Sequence, residues 1–188
     1  MNNKKRPSHT RLAGTAALLI CTALAAPQAR ADTFGVQLAG GVADRGLHKA
    51  DLGLVWDPNL NWWDHGGWHF SLVGEAHLAY WETSEGTDNH SLYEFGASPM
   101  VRYIKDSGTI RPYIEAGAGV RLLSHTTFSD LYTLSTAFQF AETVGVGIQF
   151  GSRQQYQTGL RFQHVSNADI KTPNPGANFY EVYVQYNF

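Results

Sequence analysis

The feature that most constrains this chain is the alternation of apolar and polar residues in eight successive runs. Side chains of a β-strand point alternately to its two faces, so a period of two predicts strands with one apolar and one polar face. The runs cover residues 34–42, 49–56, 68–80, 93–103, 110–122, 134–150, 156–166 and 180–188. Each is long enough for a membrane-spanning strand, which needs roughly 9–11 residues. The predicted fold class is therefore all-β.

The polar faces of these runs indicate which all-β fold they form. Lys, Arg, Glu, His or Gln occupies the polar face of nearly every run, and short connections alternate with long ones. In a soluble sandwich or a lipocalin-like barrel, the alternative folds, the apolar face would be the core. In an eight-stranded antiparallel transmembrane β-barrel the charges instead fill a narrow polar lumen and the apolar face meets lipid.

Aromatic residues favour the transmembrane barrel. Trp56, Trp68, Tyr80 and Tyr103 lie at strand ends, where interfacial aromatic girdles are expected. The last run alternates up to a terminal Phe188, a pattern similar to the assembly signal of bacterial outer-membrane barrels. We therefore predict an eight-stranded barrel with a filled lumen.

The first residues are typical of an export signal. A basic start precedes an apolar run of 15 residues, 12–26, and Ala29-Arg30-Ala31 forms an A-x-A cleavage site. The run is shorter than the roughly 20 residues of a spanning helix. We predict a cleaved signal peptide, residues 1–31, and a single outer-membrane β-barrel domain, 32–188. Cys21 is the only cysteine and lies in the signal, so thiol chemistry is excluded from the mature chain.

Counting the strands predicts their direction. With both termini periplasmic, the connections near 44–48, 82–91, 123–132 and 167–177 are extracellular. His164 and Ser166 share the apolar face at the outer end of the seventh run, which is the level of the outer leaflet. Their Cα atoms are about 6.6 Å apart in a strand, within reach of an imidazole and a hydroxyl. They are candidates for a general base and a nucleophile; the alternative is a rim histidine and a loop serine without chemistry.

Residues 161–176, RFQHVSNADIKTPNPG, extend this pair into a longer pattern. They resemble the H-x-S-N-A-x-x-x-x-P-N-x-G signature of the lipid A 3-O-deacylases (PagL family). The resemblance also covers the export signal, the eight-strand layout, Phe138-Gln139-Phe140 and the aromatic last strand. It implies an outer-membrane esterase that removes the 3-position hydroxyacyl chain of lipid A from lipopolysaccharide in the outer leaflet. His164 matches the family's base and Ser166 its nucleophile.

The third catalytic member departs from the family pattern. The family's acid lies twelve residues after the serine, where this chain has Asn178. An amide can orient a histidine but carries no charge. Glu142 interrupts the apolar face of the sixth run, and if Phe150 pairs with Tyr156 it faces His164. We therefore predict Glu142 as the candidate acid, with Asn178 as the alternative orienting residue and a β-bulge that turns Glu142 inward as a further alternative.

The loop after Ser166 offers hydrogen-bond donors for an oxyanion. Asn167, Ala168 and Asn174 are the candidate oxyanion or substrate residues, against an alternative role in building the turn. Lys171 is a candidate contact for lipid A phosphates. The eight histidines show no spacing typical of a metal site, and no nucleotide motif occurs, so no cofactor is implied.

The remaining alternatives are a non-enzymatic structural or adhesive barrel and another lipid-acting barrel, a phospholipase or an acyltransferase. Fourteen basic and sixteen acidic residues are nearly balanced, which argues against nucleic acid as a partner. The sequence leaves open whether the barrel is a monomer or a homo-oligomer.

Overall fold

The computed structural model describes residues 33–188, so the predicted signal peptide lies outside the described residues. Within this range the chain forms eleven β-strands. Their bounds are β1 Thr33–Ala43, β2 Leu47–Asp57, β3 Asn61–His65, β4 Trp68–Thr83, β5 Leu92–Lys105, β6 Ile110–Leu123, β7 Thr127–Ser129, β8 Tyr132–Thr133, β9 Phe138–Phe150, β10 Tyr156–Ser166 and β11 Ala177–Asn187. In residues 33–188 there is no helix with the length and apolar character needed to cross a membrane.

Eight long strands close into an antiparallel barrel, as predicted. The hydrogen-bonded order is β2-β1-β11-β10-β9-β6-β5-β4, and pairing of β2 with β4 completes the ring. The connections 84–91, 124–137 and 167–176 leave one end of the barrel, here called the loop rim, and 58–67, which contains β3, leaves the other. The opposite end carries Thr33 and Phe188 and is called the terminal rim.

The two faces of each strand match the predicted alternation. In β10, Leu160 points outward and is 61% exposed, whereas Arg161 and Gln163 point inward and are buried. Outward positions of the other long strands are likewise mostly apolar and exposed. The barrel therefore presents an apolar exterior around a polar interior.

The interior is filled by a network of charged side chains. Arg161 donates to Glu75 (2.8 and 2.9 Å) and to Glu115 (2.7 Å), and Arg102 donates to the same two carboxylates. Each of these four side chains is almost fully buried. Buried charges of opposite sign that share hydrogen bonds compensate one another's loss of hydration.

Apolar side chains close the interior at the loop rim. A cluster around Trp81, Phe128 and Phe179 lies above the charged network. The connection predicted near 123–132 contains the hairpin β7–β8, which folds inward so that Phe128 and Tyr132 are buried over the barrel mouth. Leu134, predicted on the outward face of the sixth run, is buried at 1% exposure, because that run enters the barrel wall only at Phe138.

A second difference lies at the terminal rim, in the connection that contains Trp62 and Trp63, to which the alternating runs assigned no strand. These residues belong to β3, which pairs with the start of β4 and contains a register shift between Trp62 and His65. Trp63 has φ of 52°, and both indole rings stack on Phe70. The bulge therefore places two consecutive tryptophans on the outward face, which a regular strand cannot do.

Candidate active site

Three of the predicted site residues form a row around the outside of the barrel. His164 of β10 pairs with Asn178 of β11 on one side and with Glu142 of β9 on the other. The predicted register between Glu142 and His164 is thus confirmed. Ser166 is the last residue of β10, at the loop rim, where it pairs with Phe140.

The imidazole of His164 is held by Asn178. Its Nδ1 lies 2.7 Å from Oδ1 of Asn178. An amide oxygen only accepts hydrogen bonds, so Nδ1 carries the proton and donates it. In the neutral ring this leaves Nε2 with a free lone pair, the state that a general base requires.

Strand geometry explains why the contact goes to Asn178 rather than to Glu142. The carbonyl oxygens of Leu160 and Thr158, four and six residues before His164, point toward β9. His164 is an even number of residues from both, so its backbone also faces β9. Its pair with Glu142 is therefore hydrogen-bonded, and its pair with Asn178 is non-hydrogen-bonded. Cα atoms are about 5.5 Å apart in the first type and about 4.5 Å in the second, where side chains are closer.

Glu142 stays on the outward face, as predicted, and no bulge turns it inward. Its side chain is exposed, and within residues 33–188 it makes no hydrogen bond or ion pair. The pairing of Glu142 with His164 supports the prediction that Glu142 orients the imidazole, but no hydrogen bond joins the two side chains. Asn178 makes the contact instead.

Ser166 has limited accessibility in this structure. It is 9% exposed, and among the described residues no hydrogen bond joins its Oγ to His164. Catalytic hydrogen bonds are often long in the absence of substrate. Nε2 of His164 and the hydroxyl of Ser166 therefore lie at neighbouring positions on the same face of β10, without a hydrogen bond between them.

A tight turn follows Ser166. The amide of Ile170 donates to the carbonyl of Asn167 (3.1 Å), and the central residues Ala168 and Asp169 have φ of 52° and 59°. These angles are typical of a type I′ turn. Within residues 33–188 the main-chain amides of Ala168 and Asp169 donate to no other group, so both are free donors next to Ser166.

The two asparagines of the motif loop use their donors within the loop. The main-chain amide of Asn167 donates to Oδ1 of Asn174 (3.1 Å), and its Nδ2 donates to Ser135 and to the carbonyl of Lys171, each at 2.8 Å. Nδ2 of Asn174 donates to Asp169 (3.0 Å). Both side chains thus build the turn, which was the alternative role considered for them. Of the three predicted oxyanion residues, Ala168 keeps a main-chain amide that is not used within the loop and lies in the turn directly after Ser166.

Gly176 packs against the imidazole ring of His164. It has φ of 63°, and a Cβ at this position would lie 3.1 Å from Cε1 of His164, so both the backbone and the space require glycine. Its carbonyl accepts a hydrogen bond from Tyr132 (2.5 Å). Burial raises the pKa of Tyr132 well above its usual value, so the phenol stays protonated and can donate. No signal in the sequence singled out Tyr132, which lies outside the alternating runs at the end of the predicted connection 123–132.

Known proteins resemble this chain over most of its length. A family model described as lipid A 3-O-deacylase (PagL) matches residues 47–187. The chain is 33% identical over 156 residues to the lipid A deacylase PagL of Pseudomonas aeruginosa, covering 82% of this chain and 87% of that protein. It is 33% identical over 174 residues to the lipid A deacylase PagL of Bordetella bronchiseptica, covering 90% and 92%.

The fold agrees with these matches. A crystal structure described as the outer membrane enzyme PagL superposes with a TM-score of 0.73 at 29% identity, covering 81% of this chain and 98% of that one. The family match includes the row of Glu142, His164 and Asn178 and the turn after Ser166.

Proposed function

This chain belongs to the lipid A 3-O-deacylase (PagL) family, and from that membership we propose that it hydrolyses the 3-O-linked hydroxyacyl ester of lipid A. It is an outer-membrane β-barrel. Lipid A is the membrane anchor of lipopolysaccharide, the substrate implied by the family. Water is the acyl acceptor, so the products are a free hydroxy fatty acid and lipid A with an unesterified 3-hydroxyl.

Ser166 is the proposed nucleophile and His164 its base. Nε2 takes the Oγ proton while Oγ bonds to the ester carbonyl carbon, and the same proton passes to the departing sugar oxygen as the C–O bond breaks. Water, deprotonated by Nε2 of His164, then bonds to the acyl carbon, and the proton passes to Oγ of Ser166 as the C–Oγ bond breaks. The observation that carries this proposal is the Nδ1 hydrogen bond to Asn178, because it selects the tautomer with a free Nε2 on the same face as Ser166.

The oxyanion of the tetrahedral intermediate needs donors close to Ser166. We assign this role to the main-chain amides of Ala168 and Asp169, which have no other acceptor within residues 33–188. Asn167 and Asn174 act by holding the turn that presents these amides.

In a triad with an acid, one carboxylate both orients the histidine and stabilises its positive charge. Here these two functions are assigned to Asn178 and Glu142. Asn178 orients the imidazole through its hydrogen bond. Glu142, on the other flank of His164, is proposed to stabilise the positive charge that develops on the ring. A carboxylate without a partner on the lipid-facing surface is costly, so pairing with the imidazolium in the transition state offsets that cost.

The height of the site suits the substrate. Barrels of this kind have short periplasmic turns and longer extracellular loops. By that rule the loop rim is extracellular. Ser166, on the lipid-facing surface of the barrel, then lies level with the sugar-linked acyl chains of the outer leaflet.

Mass spectrometry of lipid A tests the proposal. Cells that express the wild-type protein should lose one hydroxyacyl group per lipid A, and Ser166→Ala should abolish the loss. Ser152→Ala is a matched control, since Ser152 lies in an exposed turn at the terminal rim. Equal activity of Ser166→Ala would overturn the mechanism. A gain of an acyl chain would indicate a transferase, lysophospholipid a phospholipase, and unchanged lipids a structural barrel.

A further inference from the structure

Asp44, in the turn between β1 and β2, contacts the strand that carries Asn178. The ladder between β1 and β11 ends at the pair Ala43 and Phe179. One residue further, Oδ1 of Asp44 accepts a hydrogen bond from the main-chain amide of Asn178 (3.3 Å). A side-chain carboxylate thus takes the place of the main-chain acceptor that the ladder no longer supplies. This hydrogen bond extends the attachment of β11 to β1 by one residue, to Asn178, which faces His164.

The same turn also contacts Tyr132, which holds Gly176 against the imidazole. The guanidinium of Arg45 lies over the ring of Tyr132, 4.7 Å from its centroid, and Tyr132 donates to the carbonyl of Gly176. The carbonyl of Arg45 accepts from the Thr83 hydroxyl (2.9 Å), which ties the turn to β4. Two consecutive residues of one turn therefore brace Asn178 and Gly176, both of which lie against the His164 ring.

We propose that Asp44 is a positioning residue of this active site, acting on His164 through Asn178. This inference rests on the proposed function. A neutral amide binds the imidazole with one hydrogen bond and no charge attraction, so its orientation depends on how firmly its own backbone is held. A displacement of about 1 Å at a catalytic group costs up to roughly 100-fold in rate. A carboxylate that anchors the Asn178 amide prevents such a displacement.

Steady-state kinetics of the full-length barrel in detergent micelles with purified lipid A test this role. Asp44→Ala should lower kcat roughly three- to tenfold with little change in KM, as expected for coupling between contacting residues. Asp44→Asn, which keeps the acceptor oxygen, should retain at least about half of that kcat, by the same reasoning. Asp64→Ala, an exposed acidic residue at the terminal rim, is the control and should match wild type.

A double-mutant cycle separates positioning from general loosening of the loops. In an Asn178→Ala background, Asp44→Ala should cause little further loss, because the group it positions is gone. Equal losses in both backgrounds, wild-type kcat in Asp44→Ala, or an equal loss in Asp44→Asn would overturn the proposal. Heat-dependent gel mobility verifies that each variant is a folded barrel.

The proposed function fails separately. If Ser166→Ala keeps its activity, the serine mechanism is wrong. If Ser166→Ala is inactive while Asp44→Ala behaves as wild type, only the role of Asp44 is wrong.

Discussion

His164 and Asn178 are a cross-strand pair of the non-hydrogen-bonded type, with Nδ1 and Oδ1 2.7 Å apart. Glu142, on the other side of His164, belongs to a hydrogen-bonded pair, in which side chains stand further apart. The alternation of pair types thus selects which neighbour contacts the imidazole. It brings an amide, rather than the carboxylate of the same row, into contact with the imidazole.

We expect the two neighbours of His164 to differ in their effect on turnover. Asn178→Ala should lower kcat roughly 10- to 100-fold, because the imidazole loses the bond that selects its tautomer. Glu142→Gln should lower it by less, about 10-fold at most, because only a charge at longer range is lost. Deacylation of purified lipid A measures both, and Val144→Ala, an outward residue of β9, is the control. A larger loss in Glu142→Gln than in Asn178→Ala would reverse the assignment.

Removal of Arg161 should destabilise the barrel strongly. Its guanidinium bonds to both Glu75 and Glu115, so Arg161→Met leaves two buried carboxylates with Arg102 as their remaining arginine partner. Loss of one member of a buried ionic group costs about 3–5 kcal/mol. Urea unfolding in lipid vesicles should show a large fall in the free energy of unfolding, whereas the exposed Arg153→Ala should change it little. Equal unfolding curves would mean that the network contributes little.

Trp62 and Trp63 should lie at the inner membrane interface. Their stacking partner Phe70 is ten residues below Tyr80 on β4, roughly 25 Å along the axis for strands tilted about 40°, which is the height of the apolar band. Lipids brominated near the headgroup should quench their fluorescence, and Trp62→Phe with Trp63→Phe should reduce the quenching to the part contributed by Trp56 and Trp68. Trp81 is buried, so Trp81→Phe should not reduce it. Unquenched emission from Trp62 and Trp63 would place the hairpin in water.

The connection 84–91 at the loop rim should loosen in acid. Thr87 donates its amide (2.7 Å) and its hydroxyl (2.9 Å) to Asp130, and these bonds lower the pKa of that carboxyl below its usual 3.8. A lowered folded-state pKa means that the stabilisation is present above the unfolded pKa and is lost as pH falls through the folded one. Hydrogen exchange at the Thr87 amide should therefore become less protected below about pH 3.8. Asp130→Asn should lack this pH dependence, and an unchanged profile would contradict the link.

Much of the fold could be predicted because a barrel wall obeys a local rule. The period of two assigned the outward face of β10, and the short turn between Phe150 and Tyr156 predicted the pairing of Glu142 with His164. Both follow from neighbouring residues alone. Leu134 and the Trp62–Trp63 bulge escaped prediction because a hairpin that folds over the mouth and a register shift obey no such period.

The candidate site divides in the same way. His164, Ser166 and the motif loop can be identified from sequence, since they occupy one strand end and one turn. Asp44, Tyr132 and the preference for Asn178 could not, because they depend on contacts between distant segments.

The sequence by itself determined the wall of this protein: which residues form strands, which side of each strand meets lipid, and which motif lies at the rim. Only the tertiary structure decided how His164 is held. Ring closure brings the start of β11 beside the β1–β2 turn, and the phase of the hydrogen-bond ladder decides which neighbour touches the imidazole. Neither relation is contained in the period of a single strand, because each depends on the strand next to it.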